Sequence, residues 1–265
     1  MIYIVSLIYA PPRIYNRSMR ELYESELWEY ATIRWPEPVA AIQNLISLDD
    51  AASFKKKSIS RSMHVILDQH YPLNSRRIRQ ADFPQATILD AGRNLGLHEG
   101  YNYVFDQIKP NPEDIIIGYS GDSLPPVSYT RDIFRALELP DVVWATCTVD
   151  QNLRELDERG YGRVAEGVWL AKAPCTNTVC AWRYGWLESV GGLSEPCKYY
   201  GHLESHMWAK LKQTGERWAF LPRCRLKQDP SFPDHDELYT LWKYHHAHKR
   251  DFDGDFKEFL QERLT

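Results

Sequence analysis

Long hydrophobic runs are missing from this 265-residue chain. The apolar stretch at the N-terminus, MIYIVSLIYA, is too short to span a bilayer. It also lacks the basic leader and the small-residue cleavage site of a signal peptide. Cysteine is scarce: Cys147, Cys175, Cys180, Cys197 and Cys224 are odd in number, scattered, and form no CxxC pair. That excludes a disulfide framework and a zinc knuckle, and makes a reducing cytoplasm the expected setting. A surplus of positive charge is missing too. The net charge of −4 supplies no overall basic field for nucleic acid. Internal repeats, low-complexity segments and a Pro/Gly/Ser-rich linker are all absent.

What is present fits one large α/β domain. The 9 Trp, 16 Tyr and 9 Phe imply either a Trp-rich core or a surface that stacks on flat partners. Strands are expected at Ile2–Ile8, at Met63–Leu67 ending on Asp68, at Ala86–Asp90, at Asp114–Tyr119 and at Val142–Cys147. Helical periodicity runs through about residues 17–58, through Gly96–Ile108 and through 129–138. This alternation predicts a mostly parallel central sheet flanked by helices. In the second half, Ala181–Val190 and Leu203–Thr214 read as helices, the latter closed by Gly215. Trp218–Leu226 reads as a strand. The expected organisation is a domain over 1–235 with a C-terminal helical appendage, 236–265.

In an open parallel sheet, ligands bind beyond the carboxyl ends of the strands. Asp68 follows the second strand; Asp90 and then Gly92-Arg93-Asn94-Leu95-Gly96 follow the third; Ser120-Gly121-Asp122-Ser123 follows the fourth. Farther on come Val190-Gly191-Gly192-Leu193 and Tyr200-Gly201-His202-Leu203-Glu204-Ser205, with Gly215 after the helix.

In this order, over roughly residues 60–226, the pieces resemble family 2 glycosyltransferases and their GT-A relatives. The resemblance implies an inverting transferase that moves a sugar from a nucleotide-diphosphate sugar to an acceptor hydroxyl. It maps Ser120-Gly121-Asp122 onto the family's D-x-D motif, so Asp122 is the expected ligand of Mn2+ or Mg2+ and Gly121 lets the backbone approach the nucleotide. The first acid of that motif is replaced by Ser120. Asp68 maps onto the acid that contacts the base, where a carboxylate accepts from a ring N–H such as that of uracil, which favours UDP. Arg93 and Asn94 lie where relatives line the nucleotide and phosphates. Glu204 maps onto the general base; the second acid of its pair is replaced by Ser205. Asp229 or His235 is expected to complete the metal shell.

Each residue also has a plainer reading: Asp122 as a turn residue before Pro125-Pro126, Glu204 as a helix cap, Asp68 as a strand-end acid. His245-His246-Ala247-His248 does not match a standard zinc spacing and reads as a solvated basic helix face. The basic runs Lys55-Lys56-Lys57, Arg76-Arg77-Ile78-Arg79 and His248-Lys249-Arg250 read as solvated faces. Two other classes compete. A sugar-phosphate nucleotidyltransferase needs a glycine-rich phosphate loop after the first strand, where this chain has Ile8-Tyr9-Ala10-Pro11-Pro12-Arg13. A non-catalytic carbohydrate- or nucleic-acid-binding protein would be consistent with Ser120 and Ser205. The acceptor is left open among a glycan, a lipid-linked sugar, a protein, a small molecule and modified DNA.

Overall fold

The computed structural model describes residues 1–33, 63–74, 76–121, 123–126, 129–149, 162–175, 179–194, 198–199, 201–226, 237–249 and 251–264. Strand β1 (Ile2–Ile8) is followed by helices α1 (Pro12–Tyr23) and α2 (Glu26–Ile33). Then come β2 (His64–Asp68), β3 (Ala86–Asp90), α3 (Gly96–Ile108), β4 (Ile115–Tyr119), α4 (Arg131–Glu138) and β5 (Val142–Val149). The second half holds β6 (Gly162–Ala165), β7 (Val168–Leu170), β8 (Val179–Arg183), α5 (Tyr184–Ser189), α6 (Leu203–Thr214) and β9 (Arg217–Leu226). Helix α7 (Glu237–Tyr244), a π-helical turn (His245–Lys249) and α8 (Phe256–Leu264) complete the described chain. The expected helical stretch at 17–58 is seen as α1 and α2 as far as residue 33; its remainder lies outside the described residues.

The described strands form one nine-stranded sheet in the order β3-β2-β1-β4-β8-β5-β9-β7-β6. Its first four strands are parallel, as expected. Beyond β4 the sheet is mixed: β8 runs antiparallel to β4 and β5, while β5 and β9 are parallel. Strand β1 is buried along its whole length, as a central strand covered on both faces must be. Its side chains alternate. Ile2, Ile4 and Ile8 join the core under α1, α2 and α4, whereas Tyr3, Val5 and Leu7 join the core under α3, α5 and α6.

Much of the aromatic content is core. Trp144 stacks on Trp218 with ring centroids 3.8 Å apart, and Trp182 and Trp186 pack beside Trp144 at 5.8 and 6.0 Å. The Trp218 indole N–H donates to Thr146 Oγ1 at 2.6 Å, so its polar atom is satisfied inside. Cys147, Cys175, Cys180 and Cys224 are buried thiols. Among the described residues no helix is long and apolar enough to cross a membrane.

The reading of Ala181–Val190 as one helix is corrected. Residues 181–183 belong to β8, and only 184–189 are helical. Val179 and Ala181 face one core while Cys180 and Trp182 face the other. A strand buried on both faces carries no polar alternation to distinguish it from a buried helix. The tail differs as well. His248 and Lys249 are exposed, but His246 is 4% exposed and lies within the fold.

Candidate active site

Strand order reverses between β1 and β4. From β1 the chain crosses to β2 through α1 and α2 on one face; from β3 it crosses to β4 through α3 on the other. Two crossovers on opposite faces leave a crevice at the carboxyl ends of the strands where they diverge. Tyr9 follows β1 there, and Ser120 and Gly121 follow β4. Gly121 packs so closely on the Ile8 side chain that a Cβ would collide with it. The loop is pinned on both sides. The Ser123 carbonyl accepts from the Tyr119 hydroxyl at 2.9 Å and from the Ser18 hydroxyl of α1, and Pro126 bridges to Leu226 at the end of β9.

At the end of β2, Asp68 is buried and its two oxygens accept backbone N–H groups, from His70 and from Ile78, both at 2.9 Å. Arg77 stands 3.8 Å from it. The carboxylate therefore fastens the 68–78 loop. Beside it, His70 pairs with Asp90 at the end of β3. Burial works against ionisation of Asp90, but the Gly92 N–H and His70 outweigh it and hold the carboxyl below its ordinary range. Gln69, also buried, accepts from the Leu95 N–H at 2.8 Å and so ties the end of β2 to the start of α3.

Asn94 is buried; its Oδ1 accepts from the Gly96 N–H at 2.9 Å, and its side chain hydrogen-bonds Tyr9. Burial, with Asp255 next, raises the Tyr9 hydroxyl far above its usual range, so it stays protonated. Gly96 has φ +75°, and a Cβ there would come 2.5 Å from the Lys198 carbonyl and 2.7 Å from the Tyr199 Cα. The chain at Lys198 and Tyr199 thus crosses directly over the start of α3. It brings the exposed Lys198 ammonium into the electrostatic neighbourhood of Arg93 and Glu99. Lys198 hydrogen-bonds Tyr199, so the start of α3 carries charge of both signs, Arg93 and Lys198 beside the first-turn Glu99.

Glu204 lies in the first turn of α6 and is half-buried. Its charge reaches Cys180: burial first, and Glu204 second, push that thiol well above its ordinary value. Cys180 pairs with Gly118 of β4. Because α6 leads into β9, which runs the same way as β5 and β4, its first turn and Glu204 lie at the carboxyl end of these strands, on the face covered by α3, α5 and α6.

The structure brings Asp68, Arg93, Asn94, Gly121 and Glu204 to one end of the sheet. Asp122, Asp229 and His235 lie outside the described residues. Among the described residues no three His, Cys, Asp or Glu stand together as a metal-holding group, and Ser120 offers a neutral hydroxyl in place of a carboxylate. The described residues alone are thus not a fitting cation site. Tyr9, Gln69, His70 and Lys198 were not singled out from sequence. Only Lys198 had a visible signal, as a cation in the segment between the Gly191-Gly192 turn and Glu204.

No family model matches the chain, and no curated protein matches it by sequence. Solved structures match it in shape. The mannosyltransferase PcManGT from Pyrobaculum calidifontis, solved with GDP-Man and Mn2+, superposes with a TM-score of 0.54 at 15% identity, over 99% of this chain and 68% of its own. GalNAc-T7, solved with UDP, GalNAc and Mn2+, gives a TM-score of 0.60 at 9% identity over 100% of this chain. The chain spans 54% of that protein's length. Identities this low speak to the fold alone, and on the fold they agree with the strand order: the chain has the α/β GT-A architecture of these glycosyltransferases.

Proposed function

We propose that the chain transfers a sugar from a nucleotide-diphosphate sugar, with UDP favoured as the nucleotide, to an acceptor hydroxyl with inversion at the anomeric carbon. The observation that carries this reading is the position of Glu204, in the first turn of α6; α6 leads into β9, which runs the same way as β5 and β4, so its first turn lies at the carboxyl end of these strands. The positive end of the helix dipole favours a negative charge there, which suits a base. In the proposed step the acceptor hydroxyl gives its proton to Glu204 as its oxygen bonds to the anomeric carbon. The bond from that carbon to the diphosphate breaks, and the nucleoside diphosphate leaves. Arg93 and Lys198 are assigned to the diphosphate, and Asp68 to the nucleotide base.

The proposal gives Asp122, with Asp229 or His235, the part of holding a divalent cation, whose charge would offset that of the diphosphate. The structural relatives were solved with Mn2+ and nucleotides or nucleotide sugars, which supports donor and metal together. The acceptor class remains part of the proposal only as a hydroxyl bearer, and a cytoplasmic setting is proposed from the cysteine pattern.

The test is release of nucleoside diphosphate from UDP- and GDP-sugars with Mn2+ present. Glu204→Gln keeps the shape of the side chain but not its basicity. Its turnover is expected to fall by roughly 10²–10⁴-fold while donor binding survives. Near-parental turnover in that variant, or a product of retained configuration, sinks the base assignment. Ser120 and Ser205 favour a second reading, a carbohydrate-binding protein without turnover; donor binding by the parent protein with no release of diphosphate would select it.

A further inference from the structure

The C-terminal helices grip the chain just ahead of Glu204. His246 sits in the π-helical turn between α7 and α8, 4% exposed, with its ring stacked on Trp242 at 5.6 Å and an interplanar angle of 22°. Its Nδ1 lies 3.1 Å from the Phe252 carbonyl, which can only accept, so Nδ1 carries the proton. Nε2 is then an acceptor, and it receives the Tyr199 backbone N–H at 3.3 Å. The next residue repeats the contact: the Ala247 carbonyl accepts from His202 Nε2 at 3.2 Å. His202 has φ +66° and immediately precedes α6, with Glu204 two residues later. From the other side Tyr199 rests on Gly96 at the start of α3. Tyr199 is therefore held from two directions, and His202 by the Ala247 carbonyl. Single π turns of this kind are frequent at functional sites, because the wider turn re-aims consecutive residues.

We propose that His246 is a positioning residue for the transfer reaction: with the Ala247 carbonyl it holds Tyr199 and His202, and so fixes where the Glu204 carboxylate meets the acceptor hydroxyl. The inference rests on Glu204 being the base. Its physical content is that a base displaced by about 1 Å costs on the order of 10²-fold in rate without touching donor affinity.

The experiment compares the parent with His246→Ala, His246→Asn, His246→Gln and Glu204→Gln. Two readouts are taken: steady-state release of nucleoside diphosphate from UDP- and GDP-sugars with Mn2+, and hydrogen exchange at the Tyr199 amide. Gln can place an acceptor near the Nε2 position, while Asn replaces only the Nδ1 donor. His246→Ala and His246→Asn are expected to lose about 10- to 100-fold in kcat with KM for the donor little changed. His246→Gln should recover most of that loss. Tyr199 exchange should accelerate in the Ala and Asn variants and stay slow in Gln.

Parental kcat in His246→Ala, or equal losses in Asn and Gln with Tyr199 still protected, overturns the proposal. Should the alanine variant not fold, the contrast between Asn and Gln makes the same decision. Full turnover in Glu204→Gln overturns the base assignment instead, and the grip on Tyr199 is then decided by the amide exchange alone.

Discussion

His64 opens β2 with its side chain fully enclosed, its Nε2 3.0 Å from Ser6 Oγ and its Nδ1 2.7 Å from the Tyr23 hydroxyl. Burial lowers its pKa from 6.5 to about 3, so the folded chain keeps this imidazole neutral through mild acid. The unfolded chain protonates it at its ordinary value. The unfolded state therefore binds more protons once the pH falls below about 6.5, and stability drops from there until the folded pKa is reached. At pH 5 the loss from this one group is about 2 kcal/mol. Urea unfolding at pH 7 and pH 5 checks it. The parent should lose about 2 kcal/mol more between the two pH values than His64→Gln does. Equal pH dependence in the two proteins would mean that His64 is solvated or protonated in the fold. None of this was legible in the sequence, where His64 was simply part of an apolar strand. Its isolation depends on Tyr23, 41 residues away, and on the facing strand β1.

Elements were legible where one face or a clear boundary marks them. Helix α3 runs Gly96–Ile108 and β3 runs Ala86–Asp90, as expected, because an apolar period and strong breakers bound both. The short hairpin β6–β7 escaped notice. Three- and four-residue strands carry too little pattern, and this hairpin is held by contacts distant in sequence: Arg223 of β9 bonds Asp132 of α4 at 3.2 Å and Glu166 in the hairpin turn at 3.1 Å. The C-terminal helices were expected as an appendage, but their anchorage could not be read, because the residues they cover, Tyr9, Tyr71 and Tyr199, lie far apart in the chain.

Trp242 is central to that anchorage. It is 1% exposed, contacts Tyr9, Tyr239 and Phe256, and donates from its indole N–H to the Gly254 carbonyl at 3.0 Å. Removing a buried Trp side chain costs roughly 3–5 kcal/mol. Since it packs on Tyr9 beyond β1, and its neighbours Tyr239 and Phe256 pack on Tyr71 beyond β2, the helices should melt with the sheet and not ahead of it. Trp242→Ala is expected to show one calorimetric transition, lowered by about 10 °C at roughly 2–4 °C per kcal/mol. A separate early transition, with the main one unmoved, would make the C-terminal helices an independent unit.

For the whole molecule, the net charge of −4 sets the terms on which the proposed, doubly charged donor would be captured. Attraction cannot come from the overall field, so it must come from cations gathered locally. Arg77 stands beside the carboxylates Asp68 and Asp90 and is offset by them, so the cations left for this part are Arg93 and Lys198, near the start of α3 with Glu99 in its first turn. The strand order and the aromatic core fix this gathering, because they decide which loops share one end of the sheet. The sequence already placed Asp68, Asp90, Arg93 and Asn94 at strand ends; it could not place Lys198, which reaches α3 only through its contact with Gly96.

A ligand that binds only the folded state raises stability by about 2.7 kcal/mol at one hundred times its dissociation constant. At roughly 2–4 °C per kcal/mol that is a rise of about 5–10 °C in melting temperature. Thermal melts across UDP-, GDP- and other nucleotide sugars, with and without Mn2+, should therefore single out one nucleotide, with the larger rise when Mn2+ is present. Raising the salt should shrink the effect, since the attraction of exposed cations is largely screened beyond about 8 Å at physiological ionic strength and over shorter distances in more salt. Arg93→Ala and Lys198→Ala should each reduce the rise for the diphosphate while leaving the melting temperature of the free protein nearly unchanged, because surface charges of this kind contribute little to stability. If no nucleotide sugar moves the melt at saturating concentration, the donor reading fails. If the rise survives both substitutions intact, the diphosphate lies elsewhere in the crevice.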